Sequence, residues 1–189
     1  MKFLSLDIET SGLNPKYDQV LQVGAIVWDT QNPLPRSECP TYDVLIKHKA
    51  INGQPYALQM NNWILRILAG VDHPPEGTLV LPPVEADIGF TEFINDNFGE
   101  EGRITVAGKN VASFDLPFMK STFGAANRRF RHRVIDVGPM YLMSKDETVP
   151  DLATCLDRVG LEPTVTHLAP DDAWQVIQLV HFKLTGELI

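Results

Sequence analysis

The chain lacks an apolar run of the roughly 20 residues that are needed to cross a bilayer. It also lacks the long apolar stretch and cleavage site of a signal peptide, since its first ten residues already include Asp7 and Glu9. Cysteine is scarce, and the separated pair Cys39 and Cys155 offers neither a disulfide framework nor zinc-ligand spacing. We therefore expect one soluble cytoplasmic domain over residues 1–189, with no membrane partner.

Positive charge is also in short supply, with 16 Lys and Arg against 24 Asp and Glu and a formal net charge of −8. Such a balance argues against a general nucleic-acid binder, because phosphate backbones attract basic surfaces. The single dense basic run, residues 127–133, has four arginines.

Hydrophobic periodicity predicts an α/β domain. Three strands come first and form an antiparallel meander, and helices and strands alternate after them. Together they predict a five-stranded mixed sheet flanked by helices. The predicted strands are residues 3–10, 20–29, 42–48, 103–109 and 133–137. The predicted helices are residues 55–69, 84–98, 113–123, 151–159 and 170–185.

Two acids, Asp7 and Glu9, stand two residues apart on the first predicted strand, so their carboxylates point to the same face. Neighbouring carboxylates repel each other and lose hydration when they are partly enclosed. A divalent cation between them removes both costs, and oxygen ligands of this kind suit Mg²⁺ or Mn²⁺. The alternative is an exposed sheet face that simply carries acids.

Two further polar groups lie where predicted helices begin. Asp115 falls in the first turn of one helix, a place where acids are favoured whether or not they bind a ligand. His167 precedes a helix that starts at Pro170, since proline suits the first helical position, and Asp172 lies in its first turn. The alternative here is a surface histidine followed by ordinary helix-start acids.

Taken together in order and type, these residues resemble the DEDDh exonucleases, the histidine branch of the DEDD superfamily. Residues 7–13 resemble the first family motif, Asn110 and residues 114–119 the second, and residues 167–172 the third. The similarity spans nearly the whole domain. In this chain three residues separate Asn110 from Phe114, where the family pattern has two.

The resemblance implies a ribonuclease H-like fold and a 3′–5′ exonuclease that releases nucleoside 5′-monophosphates. The substrate would be single-stranded DNA or short RNA with a free 3′ end. Four catalytic acids would hold two Mg²⁺ or Mn²⁺ ions, and they are Asp7, Glu9, Asp115 and Asp172. His167 would be the general base, because an ordinary histidine pKa of about 6.5 suits proton transfer near neutrality. Asp136 resembles a further family acid, which we interpret as supporting structure.

Substrate contacts are predicted at two places. Around the first motif, the backbone near Thr10 would meet the terminal nucleotide, and Leu13 would wedge against the last bases, a contact that tolerates any base. The basic run would track phosphates. An ordinary turn leucine and a solvated basic loop are the alternatives. The predicted contacts are Thr10, Leu13, Asn110, Arg128, Arg129 and Arg131.

Two other classes of function compete with an active exonuclease. One is a proofreading or accessory module that acts mainly by binding a polymerase or another nucleic-acid-processing partner. The other is a nucleic-acid-binding protein that has lost catalysis, which the presence of all five catalytic-type residues disfavours. Nothing in the sequence recognises a 2′-hydroxyl, so DNA and RNA both remain open as substrates.

Overall fold

A computed structural model of the chain describes residues 1–163 and 167–189. Within these residues, one mixed sheet has the strand order β4-β3-β2-β1-β5-β6. β1 pairs antiparallel with β2, and β2 with β3, whereas β4, β5 and β6 add in parallel pairings. The strands are β1 (Lys2–Thr10), β2 (Val20–Asp29), β3 (Thr41–Ile46), β4 (Leu79–Leu81), β5 (Val106–Gly108) and β6 (Ile135–Asp136).

The predicted antiparallel meander is confirmed, but the predicted count of five strands is wrong. The additional strand, β4, is only three residues long and lies at the edge of the sheet beside β3. Prolines flank it in the sequence, and they predicted a loop. Because an edge strand needs hydrogen bonds on one side only, flanking prolines do not prevent it from forming.

The five predicted helices are present, with several differences at their ends, and two short helices at Gly124–Asn127 and Val137–Met140 were not predicted. The predicted helix over residues 55–69 is interrupted at Asn61, whose backbone leaves the helical conformation. None of the helices in the described part of the chain is long and apolar enough to cross a membrane. The helices are α1 (Pro55–Met60), α2 (Asn62–Leu68), α3 (Pro83–Phe98), α4 (Asp115–Thr122), α5 (Gly124–Asn127), α6 (Val137–Met140), α7 (Leu152–Asp157) and α8 (Ala169–Thr185).

The two faces of β1 meet different layers of helices because successive side chains on a strand point to opposite sides. Leu4 and Leu6 belong to a core that includes the buried aromatic rings Phe90 and Phe118 of α3 and α4. Phe3 belongs to the opposite core, which includes much of α8. Further along this second face stand Ser5, Asp7 and Glu9, so alternation alone directs the two acids toward α8.

The amino-terminal end of α8 lies directly on β2 at Gly24. A Cβ atom at that position would be 2.2 Å from the Pro170 nitrogen and 2.3 Å from the Ala169 carbonyl carbon. Only glycine permits this approach, since the backbone atoms that a side chain would meet cannot rotate away. In the β1–β2 ladder Gly24 is opposite Asp7. The close packing therefore brings the first turn of α8 beside the acidic end of β1.

Candidate active site

Three elements bring four carboxylates together at the carboxyl end of β1. The strand itself supplies Asp7 and Glu9, α4 supplies Asp115 in its first turn, and α8 supplies Asp172. Glu9, Asp115 and Asp172 are buried, and Asp7 is half-buried. The Ser5 hydroxyl fixes α8 against the strand by donating to the Ala173 carbonyl oxygen at 2.7 Å. The sheet and two helix starts thus form one acidic cluster.

Burial sets the electrostatics of this cluster. It raises the pKa of Asp7 well above its usual value, and repulsion from Asp115, Asp172 and Glu9 adds to the effect. Burial also raises the pKa of Asp115 to about 8 and of Glu9 to about 7. No lysine or arginine in the described residues forms an ion pair with Asp7, Glu9 or Asp115. The alternative of an exposed sheet face carrying solvated acids therefore does not describe this cluster.

Glu9, His167 and Asp172 have the spacing of metal ligands. Each offers a ligand atom, and these atoms lie within 4.8 Å of one another. The His167 Nδ1 atom is 3.9 Å from Glu9 Oε1. Asp7 and Asp115 border this group and act on it through their charges. The two carboxylates offer the oxygen ligands that suit Mg²⁺ or Mn²⁺, whereas the imidazole nitrogen is a ligand type that suits other first-row metals.

His167 combines accessibility with an unusual backbone. Its side chain is 47% exposed, in contrast to the buried carboxylate of Glu9 beside it. Its φ of 53° lies in the left-handed region, which costs a residue other than glycine roughly 1–2 kcal/mol. In the described residues only Asn110 shares this feature among non-glycines, with φ 58°. Such strain concentrates at functional sites, and both residues border the cluster or its adjoining loop.

The adjacent acids Asp171 and Asp172 point in different directions, because neighbours on an α-helix differ by about 100° around its axis. Asp172 is 4% exposed and faces Glu9 and His167. The Asp171 side chain is 28% exposed and forms an ion pair with Arg36. Asp171 is therefore more than a helix-start acid, since it ties α8 to the 3₁₀ turn Arg36–Glu38.

A pocket of about 360 Å³ opens in front of the acids. Part of its lining is apolar and consists of the side chains of Leu13, Tyr56 and Met60. Leu13 is 73% exposed. Thr10 also lines the pocket, although its hydroxyl is engaged with the Gly12 carbonyl oxygen at 2.7 Å. Thr10 and Leu13, the two contacts predicted around the first motif, therefore both line this pocket.

Asn110 and the basic run are not among the residues that line this pocket. The Asn110 side chain accepts a hydrogen bond from Ser113, and its backbone N–H donates to Asp136 Oδ1 at 3.1 Å. Asp136 also accepts from the Gly138 N–H. Asp136 thus stabilises the loop after β5, and Asn110 takes part in the same hydrogen bonds.

The basic run lies at the opposite end of the sheet, because Ile104 pairs with Phe130 ahead of the amino end of β5. Arg129 is occupied there, since its guanidinium donates to the carbonyl oxygens of Gly99, Gly102 and Glu101 and to Asn95. Arg128 is exposed. Three further basic residues, Arg103, His132 and Arg133, line a separate hollow together with Arg131.

Two residues that sequence reasoning missed hold the cluster in place. Asn61 is buried, donates from Nδ2 to the Thr10 carbonyl oxygen at 3.1 Å, and hydrogen-bonds the Glu9 carboxylate, which lowers the Glu9 pKa against the effect of burial. Gln22, opposite Glu9 in the ladder, accepts from the Ala169 N–H at 3.2 Å and donates to Asp43 at 2.7 Å. Gln22 is a lone amide within an apolar strand, a signal that was available from the sequence, whereas Asn61 lies next to Asn62 and does not stand out.

No protein-family model and no curated protein matches the sequence. Among solved structures, the chain is similar to a crystal structure of cell-death related nuclease 4, with a TM-score of 0.69 and 13% identity. The match covers 99% of this chain and 64% of that one, so this chain spans less than two thirds of its neighbour. At this identity the likeness shows the fold alone. It confirms the predicted ribonuclease H-like α/β fold, with one strand more than predicted.

Proposed function

We propose that the protein is a divalent-metal-dependent 3′–5′ exonuclease of the DEDDh type. One observation carries the proposal: four carboxylates from β1, α4 and α8 are gathered, three of them buried, before an open pocket that also contains a half-exposed histidine. Buried like charges are costly unless a cation joins them. The likeness in fold to a nuclease supports a phosphodiester as the substrate.

The residues fit two Mg²⁺ or Mn²⁺ ions. Asp7, Glu9, Asp115 and Asp172 would hold them through oxygen atoms, the ligand type that these ions prefer. When bound, such ions polarise the phosphodiester and lower the pKa of an attacking water. Binding would also return the buried carboxylates to their ionised form, since a nearby positive charge opposes the raised pKa values.

His167 would take the proton from the attacking water. It is the accessible titratable group of the cluster, and its Nδ1 lies 3.9 Å from the Glu9 carboxylate, which can orient the ring and stabilise the imidazolium that forms. His167 has a left-handed backbone two residues before α8 begins, and its side chain lines the pocket.

In this proposal the 3′ end of a strand lies in the pocket. Leu13, Tyr56 and Met60 offer apolar surface to the terminal base, and stacking of this kind does not depend on base identity. The phosphodiester behind that base would then lie over the acids. Hydrolysis on its 3′-oxygen side would release a nucleoside 5′-monophosphate and leave a new 3′ end.

The decisive experiment compares linear and circular single strands. Linear DNA and short RNA, labelled at the 5′ end, are incubated with Mg²⁺ or Mn²⁺ and with excess chelator, and the products are separated by size. We expect stepwise shortening from the 3′ end, with 5′-mononucleotides as products, and no reaction with chelator. Rapid cleavage of the circle would identify an endonuclease, and full activity in chelator would exclude the metal-dependent mechanism.

A further inference from the structure

Lys109 is the one lysine or arginine that lines the acidic pocket in the described part of the chain. It follows directly after β5, whose carboxyl end lies beside β1. Across residues 1–163 and 167–189 it forms no ion pair with an acid. A half-buried cation in such a pocket has a charge to offer to a ligand.

Lys109 does not serve as the counterion of Asp7, Glu9 or Asp115. Its charge is absent from the interactions that set the pKa of Asp7, Glu9 and Asp115. It does act on Asp151, but the pKa of Asp151 is lowered mainly by hydrogen bonds from Thr154, and Lys109 contributes less. Asp151 is thus already engaged as the cap of α7.

The position of the ammonium group is restricted by Gly138. A Cβ atom there would lie 3.0 Å from Lys109 Cε and 3.2 Å from Nζ. The end of the Lys109 side chain therefore packs against the Gly138 backbone, in space that a side chain would occupy. Gly138 is buried, and its N–H is held by Asp136. A cation placed in this way loses less freedom when it binds than a freely extended surface lysine does.

We propose that Lys109 forms a phosphate-binding subsite at the rim of the pocket and contacts a non-bridging phosphate oxygen of the bound strand. The inference rests on the proposed exonuclease function and adds to it a residue that binds the substrate backbone. Lysine binds phosphate as a compact point charge, so the contact would recognise neither base nor sugar. It would hold the strand while the acids and His167 carry out hydrolysis.

Lys109→Met tests the subsite, with Lys109→Arg as the variant that keeps the charge. A matched control is Lys145→Met, which makes the same change at an exposed lysine outside the pocket. For Lys109→Met we expect KM for an oligonucleotide to rise about 10-fold. The reason is that loss of one hydrogen bond to a charged group lowers affinity by about this factor or more. Lys109→Arg should restore most of the wild-type affinity for the oligonucleotide. Lys145→Met should have the same KM as the wild-type protein.

Binding without turnover separates this inference from the proposed function. Affinity for a labelled oligonucleotide is measured in Ca²⁺ over a range of salt, together with Mn²⁺ affinity and Tm. Loss of one phosphate contact should flatten the slope of log K against log salt by roughly 0.7, with Mn²⁺ affinity and Tm unchanged. If the unchanged protein hydrolyses nothing, the proposed function fails; if it hydrolyses and Lys109→Met keeps the same KM and slope, the subsite is overturned.

A minimal substrate locates the contact. A nucleoside 5′-aryl phosphodiester contains a single phosphate, which must occupy the scissile position. An equal loss on this substrate and on the oligonucleotide would assign Lys109 to the scissile phosphate. A loss confined to the oligonucleotide would assign it to a neighbouring phosphate, and a loss on neither would contradict the subsite.

Discussion

A group of acidic residues lies at the carboxyl end of β1 and a group of basic residues lies near its amino end, and the two groups differ in burial. At the carboxyl end, Glu9, Asp115 and Asp172 are buried against one another. At the amino end, the arginines of residues 127–133 are exposed or are bound to backbone carbonyl oxygens, as Arg129 is. Buried like charges raise the free energy of the folded state unless a ligand compensates them, whereas solvated charges cost little. Burial therefore makes the acidic end the place where a bound cation would lower the free energy of the folded state more.

Removal of acids from β1 should have the largest effect. Asp7→Ala or Glu9→Ala takes away a metal ligand, and we expect kcat to fall by at least about 10³-fold, the upper range for loss of one electrostatic stabiliser. The protein should stay folded without metal, because the change also removes repulsion within the cluster. Turnover and thermal melting of the same preparations check both parts, and an active Asp7→Ala variant would contradict the site.

The neighbours Asp171 and Asp172 provide a matched pair for the next effect. Asp172→Asn should be nearly inactive, since its carboxylate faces Glu9 and His167. Asp171→Asn should keep most activity and lose at most about 1 kcal/mol of stability, the usual range for a surface ion pair, here with Arg36. Steady-state rates and melting temperatures of the two variants decide between them. The reverse pattern would move the metal ligand to Asp171.

His167→Ala should lower kcat by about 10²–10⁴-fold, the usual contribution of a general base. If His167 transfers a proton, the loss in kcat should exceed the loss in Mn²⁺ affinity, which calorimetry measures separately. His73→Ala changes an exposed histidine outside the pocket and is the matched control. An equal fall in kcat and metal affinity would make His167 a metal ligand, as its distance from Glu9 also allows.

Features whose geometry follows from a short-range rule were predictable from the sequence. Alternation on β1 gave Asp7 and Glu9 a common face, and helix periodicity separated Asp171 from Asp172. Features that depend on approach between distant segments were not predictable in this way. The contact of Gly24 with Pro170, the tether from Gln22 to Ala169, and the support of Glu9 by Asn61 all join residues far apart in the chain.

Stability of the metal-free protein should depend on pH with a sign set by the acidic cluster. Burial raises the pKa of Glu9 from 4.5 to about 7 and that of Asp115 from 3.8 to about 8. The folded state therefore binds more protons than the unfolded state between these limits, so stability is greatest below the ordinary values and falls as pH rises through 7 and 8. Melting in chelator should show this fall, and Glu9→Gln should reduce it.

Metal should reverse that trend. Because divalent ions bind the ionised carboxylates, Mn²⁺ should raise Tm more at about pH 8 than at about pH 5, where protons compete for the same oxygens. Melting curves with and without Mn²⁺ at the two pH values measure the difference. An equal increase at both would show that the metal binds away from Glu9 and Asp115.

The smallest effect is expected from the basic run, and it sharpens the contrast between the two ends of β1. Phe130 in the run pairs with Ile104, two residues before the partner of Leu4, so it lies at the level of Lys2. Glu9 is seven residues further on, which is about 23 Å along the strand. Only a strand of several nucleotides could reach both ends, so Arg128→Gln with Arg133→Gln should raise KM for long substrates and leave a trinucleotide unaffected. Each lost contact should flatten the slope of log K against log salt by roughly 0.7.

Arg129→Gln should lower Tm instead, because it removes hydrogen bonds to Gly99 and Gly102. Unchanged salt dependence on long substrates would leave the run as a solvated loop, and an equal loss on the trinucleotide would contradict its placement away from the acids.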